Sequence, residues 1–264
     1  MFIDTHCHPL LSKEKTEEFI IENFQKSGGK YLVSIGTNLN SSKQSLELAN
    51  RYDCIYSTIG IHPTDTIELE GKLDESIDFL EDIYLADKDK VVGVGECGLD
   101  YHWLSKENTE HEKKIQKEFF LAQIKLAKKY KLPLIIHNRD AGNDILDILS
   151  QAKYENFIIH CFSENLEFAK KCIEISPKCK LAFGGIVTFK NTYDIQEAAQ
   201  KIPLENLIIE TDSPYLTPTP YRGKEENEPK YVQYVLEKII ELRDEDPELI
   251  KKQIFQNSLD IFNI

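Results

Sequence analysis

Short apolar runs rich in Ile and Val alternate along this chain with longer stretches in which apolar residues recur every three or four positions. The short runs predict strands at residues 2–6, 31–36, 55–60, 91–96, 134–137, 157–160, 180–183 and 207–211. The longer stretches predict helices at 16–26, 42–51, 74–86, 111–130, 142–151, 166–174, 195–201, 230–242 and 247–262. Eight strand–helix units over this length predict a (β/α)8 TIM-like barrel with its active site at the C-terminal rim of the strands; a doubly wound open sheet is the alternative. The strand runs are apolar throughout, as in a parallel sheet covered by helices on one side and filled on the other. No repeat, low-complexity tract or linker interrupts the pattern, so residues 1–264 read as a single domain. The proline-rich segment 217–229 reads as a long loop after the eighth strand.

The chain has 264 residues, and its hydrophobic content of 41% allows a sizeable core. There is no run of 18 apolar residues, so no membrane span is expected. The N-terminus has polar residues, His6 and His8, where a signal peptide would be apolar, which points to a cytoplasmic protein. Its six cysteines form no CxxC pair, so disulfides are not expected. Cys7, Cys97 and Cys161 directly follow His6, Glu96 and His160. On a strand they would face the helix layer as apolar filler, which makes a zinc–thiolate site the weaker reading. The net charge of −13 excludes broad coating of nucleic acid, but not an enzyme that recruits a strand end through metal ions and a few placed cations.

Candidate chemistry begins at Asp4-Thr5-His6-Cys7-His8, where the i, i+2 spacing puts both imidazoles on one face of the first strand. Neutral imidazole is the commonest metal ligand, and burying two without partners is costly. Further polar residues end other strands: His62, Glu96, His137, His160, and Glu210 with Asp212. A barrel gathers those ends on one rim. Glu96 follows the run Val92-Gly93-Val94-Gly95, in which no basic residue offers it a partner, while His137 and His160 each end an apolar strand. His6, His8, His137, His160, Glu96 and Asp212 are too many ligands for one tetrahedral zinc. They fit two divalent ions sharing a carboxylate, with Glu96 the natural bridge. Two ions about 3.5–4 Å apart serve phosphoester hydrolysis. The donor types favour Zn or Mn and leave Mg open.

Taken together, the chain resembles a TatD-type metal-dependent deoxyribonuclease of the amidohydrolase superfamily. The matching segments run from Asp4-Thr5-His6-Cys7-His8 through Gly60-Ile61-His62-Pro63, Gly95-Glu96-Cys97-Gly98-Leu99-Asp100-Tyr101 and Ile136-His137-Asn138-Arg139-Asp140-Ala141. They continue with His160-Cys161-Phe162-Ser163, Glu210-Thr211-Asp212-Ser213-Pro214-Tyr215-Leu216 and Tyr221-Arg222-Gly223-Lys224. The resemblance spans nearly the whole chain, and Glu225-Glu226 is a departure that adds negative charge to the last loop. It implies a 3′-5′ exodeoxyribonuclease acting on single-stranded DNA or 3′ ends. It also implies one ion held by His6, His8, Glu96 and Asp212, and a second held by Glu96, His137 and His160. Asp212 would take the proton of the attacking water, and His62, Arg139, Arg222 and Lys224 would hold the phosphate.

Two other functions compete with this one. A small-molecule amidohydrolase or phosphoesterase could use the same barrel, and the acidic surface favours it; the arginines and the long loop oppose it. A barrel that has lost activity and binds a partner is opposed by the full ligand set. Tyr101, His102 and Trp103 form an aromatic cluster that either stacks a base or packs its loop, and packing is the reading taken for Trp103. Oligomeric state is left open, with a monomer as the working expectation.

Overall fold

The computed structural model describes residues 1–264. Its eight strands form one sheet whose order follows the chain: β1 (Phe2–Cys7), β2 (Gly29–Ser34), β3 (Ile55–Ile59), β4 (Val91–Asp100), β5 (Leu134–Arg139), β6 (Phe157–Ile159), β7 (Lys180–Phe183) and β8 (Leu207–Ile209). Between and after them lie α1 (Glu17–Lys26), α2 (Leu39–Arg51), α3 (Leu73–Ala86), α4 (Thr109–Tyr130), α5 (Gly142–Ala152), α6 (Leu166–Ile175), α7 (Tyr193–Lys201), α8 (Val232–Leu242) and α9 (Pro247–Phe262). Parallel pairing and strict alternation make this the (β/α)8 barrel fold that the hydrophobic pattern predicts. No helix is long and apolar enough to cross a membrane.

Local chemistry explains where the helices begin. The Thr16 hydroxyl accepts from the Phe19 N–H at the start of α1, with Glu17 and Glu18 in the first turn and Lys26 in the last. Asn38 and Ser41 form a reciprocal capping box on α2. Asp246 caps α9 ahead of Pro247.

Three strand ends depart from the sequence reading in ways that matter for the site. β4 continues past Glu96 to Asp100 because it keeps pairing with β5, Gly98 opposite His137 and Asp100 opposite Arg139. β6 and β8 stop at Ile159 and Ile209, so His160, Glu210 and Asp212 occupy the turns just beyond the strands.

The chain divides into two compact units. One comprises Met1–Ser34, His160–Ile173 and Lys180–Ile264, and the other Ile35–Ile159 with Glu174–Cys179. In the first, Ile3, Phe24, Leu32, Phe162 and Phe183 are fully buried, and the rings of Phe162 and Phe183 pack with centroids 5.1 Å apart. In the second, Ile55, Ile59, Leu80, Phe120, Ile135 and Ile136 form the core. Each such side chain contributes about 1.5–3 kcal/mol through burial. Within the first unit β1 lies beside the turn after β8: Asp212 N donates to His6 O at 2.9 Å, and His8 N donates to Ser213 O at 2.7 Å.

Candidate functional site

The first unit carries His6, His8 and Asp212. His6 is on β1, and His8 is one residue past its end, opening the short turn Pro9–Leu11. The two Nε2 atoms lie 3.2 Å apart, and Asp212 Oδ1 is 3.6 Å from His6 Nε2 and 3.4 Å from His8 Nε2. Three donors bound tetrahedrally at about 2.0–2.1 Å stand about 3.3–3.4 Å from one another. The observed edges of 3.2, 3.4 and 3.6 Å bracket that value, so these residues fit a divalent ion. Burial opposes the charge on Asp212, but His8, His6 and His160 outweigh it and hold the carboxyl below its usual range, leaving it an anionic donor.

Asp212 is held in a left-handed backbone conformation (φ 55°), an arrangement that needs outside support. Asp4 helps supply it. Its carboxylate accepts from Thr211 N at 2.9 Å, from Thr211 Oγ1 at 2.6 Å and from His6 N at 3.3 Å, tying β1 to the turn that presents Asp212. Asn227 Nδ2 donates to Thr211 O at 2.9 Å and Tyr215 O at 2.5 Å, fixing the same turn from the other side. His160 stacks on His6, with ring centroids 4.0 Å apart and planes 8° from parallel. Its Nδ1 faces Glu210 Oε1 at 3.5 Å, and burial pushes the Glu210 carboxyl up to about 7 despite His160 and the Cys161 N–H.

The second unit carries Glu96, His62, His137 and Arg139. Glu96 Oε1 is 2.9 Å from His137 Nδ1 and 3.4 Å from His62 Nε2. The glycines flanking Glu96 let β4 approach β5 closely. Gly95 and Gly98 have φ of 148° and 134°, and a Cβ on Gly98 would stand 2.1 Å from His137 O. His137 Nε2 faces Asp100 Oδ2 at 2.9 Å. Burial works against the Asp100 charge, but His137 and the N–H groups of Trp103 and His102 hold this carboxyl below its usual range. The imidazole thus lies between two carboxylates, the arrangement that orients a metal-ligating histidine. His62 differs. Its Nδ1 accepts from the Thr64 N–H at 3.2 Å, which in the neutral ring favours a proton on Nε2 and makes that atom a donor to an anionic oxygen, while the donor atoms of His62, Glu96 and His137 also lie close enough together to hold one ion.

Two glutamines two turns apart on one face of α4 help to set these positions. Gln123 receives Ile61 N at 2.8 Å and donates to Ile61 O at 3.1 Å, immediately before His62. Gln116 receives Asp100 N at 2.9 Å and donates to Asp100 O at 3.0 Å. The sequence reading missed Asp4, Asp100, Gln116 and Gln123. Asp4 and Asp100 lie inside the quoted motifs, two residues from His6 and one from Tyr101, which was the available signal; the glutamines give none.

The remaining candidates separate. Arg139 is exposed at the end of β5, and Lys224 is exposed in the loop after β8. The Arg222 guanidinium lies 3.4 Å from the Phe189 ring centroid. Glu226 accepts from Ser12 Oγ at 2.6 Å and Lys13 N at 3.1 Å, and Tyr231 donates to Glu225, so both extra acidic side chains of that loop have local partners. Cys7 and Cys97 are buried with their thiols turned to Val33 O and Ile135 O, and burial pushes both thiols up, so they act as filler and not as thiolate ligands. Cys161 departs from that expectation. It lies past β6 with φ 46° and is half-buried, so strand alternation does not govern it. Trp103 departs too, being 66% exposed where packing was expected.

The comparisons agree with the donor chemistry. The family described as TatD related DNase matches residues 3–263. YabD of Bacillus subtilis (strain 168), named as an uncharacterized metal-dependent hydrolase, is 40% identical over 267 residues and covers all of both chains. YcfH of Escherichia coli (strain K12), named likewise, is 31% identical, with 99% of this chain and 96% of YcfH aligned. Among solved structures, YJJV, a TatD homolog from Escherichia coli K12, superposes with a TM-score of 0.88 at 28% identity, covering 100% of this chain and 98% of YJJV. A TatD family hydrolase from Entamoeba histolytica superposes with a TM-score of 0.85 at 21% identity and shares the fold.

Proposed function

We propose that this chain, which belongs to the TatD related DNase family and is a metal-dependent hydrolase, cleaves phosphodiester bonds of DNA as a 3′-5′ exonuclease on single-stranded ends. The observation that carries the reading is the triangle of His6 Nε2, His8 Nε2 and Asp212 Oδ1, whose 3.2, 3.6 and 3.4 Å edges suit three ligands of one divalent ion. Glu96 and His137 are the proposed donors for a second ion; the roles of Glu96 as a shared ligand and of His160 as a ligand of that second ion follow from the family resemblance. When bound, such ions supply a water acidified towards neutral pH and positive charge for the developing oxyanions. The remaining work belongs to side chains. Asp212, ionised and 14% exposed, accepts the proton of the attacking water. His62 donates its Nε2–H to a phosphate oxygen, and Arg139 presents a guanidinium fork to the phosphate.

The test is a 20-nucleotide single strand, labelled at either end, incubated with chelated protein and with protein reloaded with Zn, Mn or Mg. The reading expects a 5′-labelled ladder that shortens stepwise and immediate release of a 3′-labelled mononucleotide. No cleavage with any of the three ions, alongside turnover of a small phosphoester or amide, would overturn it in favour of a small-molecule hydrolase, which the net charge of −13 also suits.

A further inference from the structure

The chain's one indole stands exposed on a loop held by several hydrogen bonds. Trp103 is 66% exposed, yet the loop that carries it is pinned. The N–H groups of His102 and Trp103 donate to Asp100 Oδ1 at 3.0 and 3.3 Å, and Tyr101 N donates to Arg139 O at 2.8 Å. The Tyr101 hydroxyl donates to Asp144 Oδ2 at 2.5 Å, and Ser105 N donates to Glu112 Oε2 at 3.0 Å. The indole is therefore held out in solvent by a fixed backbone. An aromatic ring held in place in water is ready to be covered by a flat ligand without further ordering cost.

The neighbours specify the ligand. Arg139 lies with Cζ 5.4 Å from the indole centroid, and His102 stands edge-on to the ring at 4.8 Å. Asp140 is the acidic group of this patch, and His102 Nδ1 contacts its carboxylate at 3.2 Å. The guanidinium over the indole offers a partner for a phosphate, and the exposed remainder of the ring offers one for a base. The patch is joined to the proposed centre through Asp100, which holds the loop with Oδ1 and faces His137 Nε2 with Oδ2. A ligand anchored on Trp103 is thereby registered against His137.

We propose that Trp103 and Arg139 form a nucleobase-stacking platform that seats one unpaired base of the DNA substrate, a role that rests on the nuclease reading above. Stacking needs an unstacked base, so the platform selects single strands and frayed ends over duplex. It also lets an acidic protein bind DNA with few cations, because ring-on-base contact does not depend on charge.

Trp103 is the only tryptophan, so its fluorescence reports this patch alone. In EDTA, titration with a five-residue deoxythymidine oligomer should quench that fluorescence, whereas an oligomer of the same length made of abasic deoxyribose phosphate should not. Trp103→Ala should raise the KM for single-stranded DNA about tenfold with bound metal unchanged, and Trp103→Phe should recover most of the loss. Arg139→Ala should lower the salt dependence of oligomer binding by about one phosphate contact. Equal quenching by the abasic oligomer, or no quenching by a protein that cleaves the labelled 20-mer, would overturn the platform while leaving the nuclease reading standing. Base-dependent quenching in a protein that cleaves no DNA with any ion would keep the platform and remove the nuclease reading.

Discussion

His6 and His8, 0% and 6% exposed, are set by main-chain bonds between β1 and the turn after β8, whereas His62 and His137, each 17% exposed, are set by main-chain bonds (His62 N to Thr37 O at 2.7 Å, and His137 in the β4–β5 ladder) together with side chains of β4 and α4. In the first set the strand itself aligns the ligands. Asp212 N on His6 O and His8 N on Ser213 O leave the donor triangle little freedom. In the second set the amides of Gln116 and Gln123 and the carboxylate of Asp100 hold the parts, and each is a single side chain that substitution can remove. The difference in exposure teaches that the dry set should keep its ion, while the more open set should release its ion sooner and be more easily tuned.

The largest expected effect is at Glu96. Glu96→Gln should lower hydrolysis by about a thousandfold or more while the protein stays folded, because the open set loses its only anionic donor that faces both imidazoles. Nuclease activity within tenfold of the parent would break the comparison. Next, Asp100→Asn should weaken the ion of the open set by about 10–100-fold and leave the buried set's ion in place, measured by metal competition with a chromogenic chelator. Equal loss of both ions would show that the two sets are not separately braced.

A smaller effect is confined to the buried set. The Glu210 carboxyl is pushed by burial to about 7 in the folded chain, above its ordinary 4.5. The folded state therefore binds the extra proton, and this residue's contribution to stability falls as pH rises from about 4.5 to about 7. In metal-free protein, Glu210→Gln should gain about 2–4 kcal/mol on the parent across that window, read by denaturant unfolding, with a constant gap above it. A gap independent of pH would contradict the assignment. The smallest effect is at Arg139, where substitution by Ala should raise KM for DNA several-fold with metal content unchanged.

Much of this was legible in the sequence because the barrel writes itself as repeated apolar strands with polar ends. The alternation placed all eight strands, and the i, i+2 spacing of His6 and His8 brought their Nε2 atoms together even though β1 stops at Cys7. What stayed hidden was whatever depends on distant partners. Asp4 reads as one more polar residue until Thr211, 207 positions on, meets it. Residues 97–100 lack alternation, so the continuation of β4 to Asp100 depends on pairing with β5 and cannot be read locally. Gln116 and Gln123 sit in a charged amphipathic helix, where a buried amide has no local mark. Trp103 was misread because an aromatic residue in a loop more often packs than stands in solvent.

Metal content during chelation tests the central claim most directly. Protein reloaded with Zn or Mn should carry two ions per chain and lose them in two stages against a chelator, with the late stage absent in Asp212→Asn and the early stage absent in His137→Ala. Loss of all metal in one stage, unchanged by either substitution, would contradict two ions held with unequal grip.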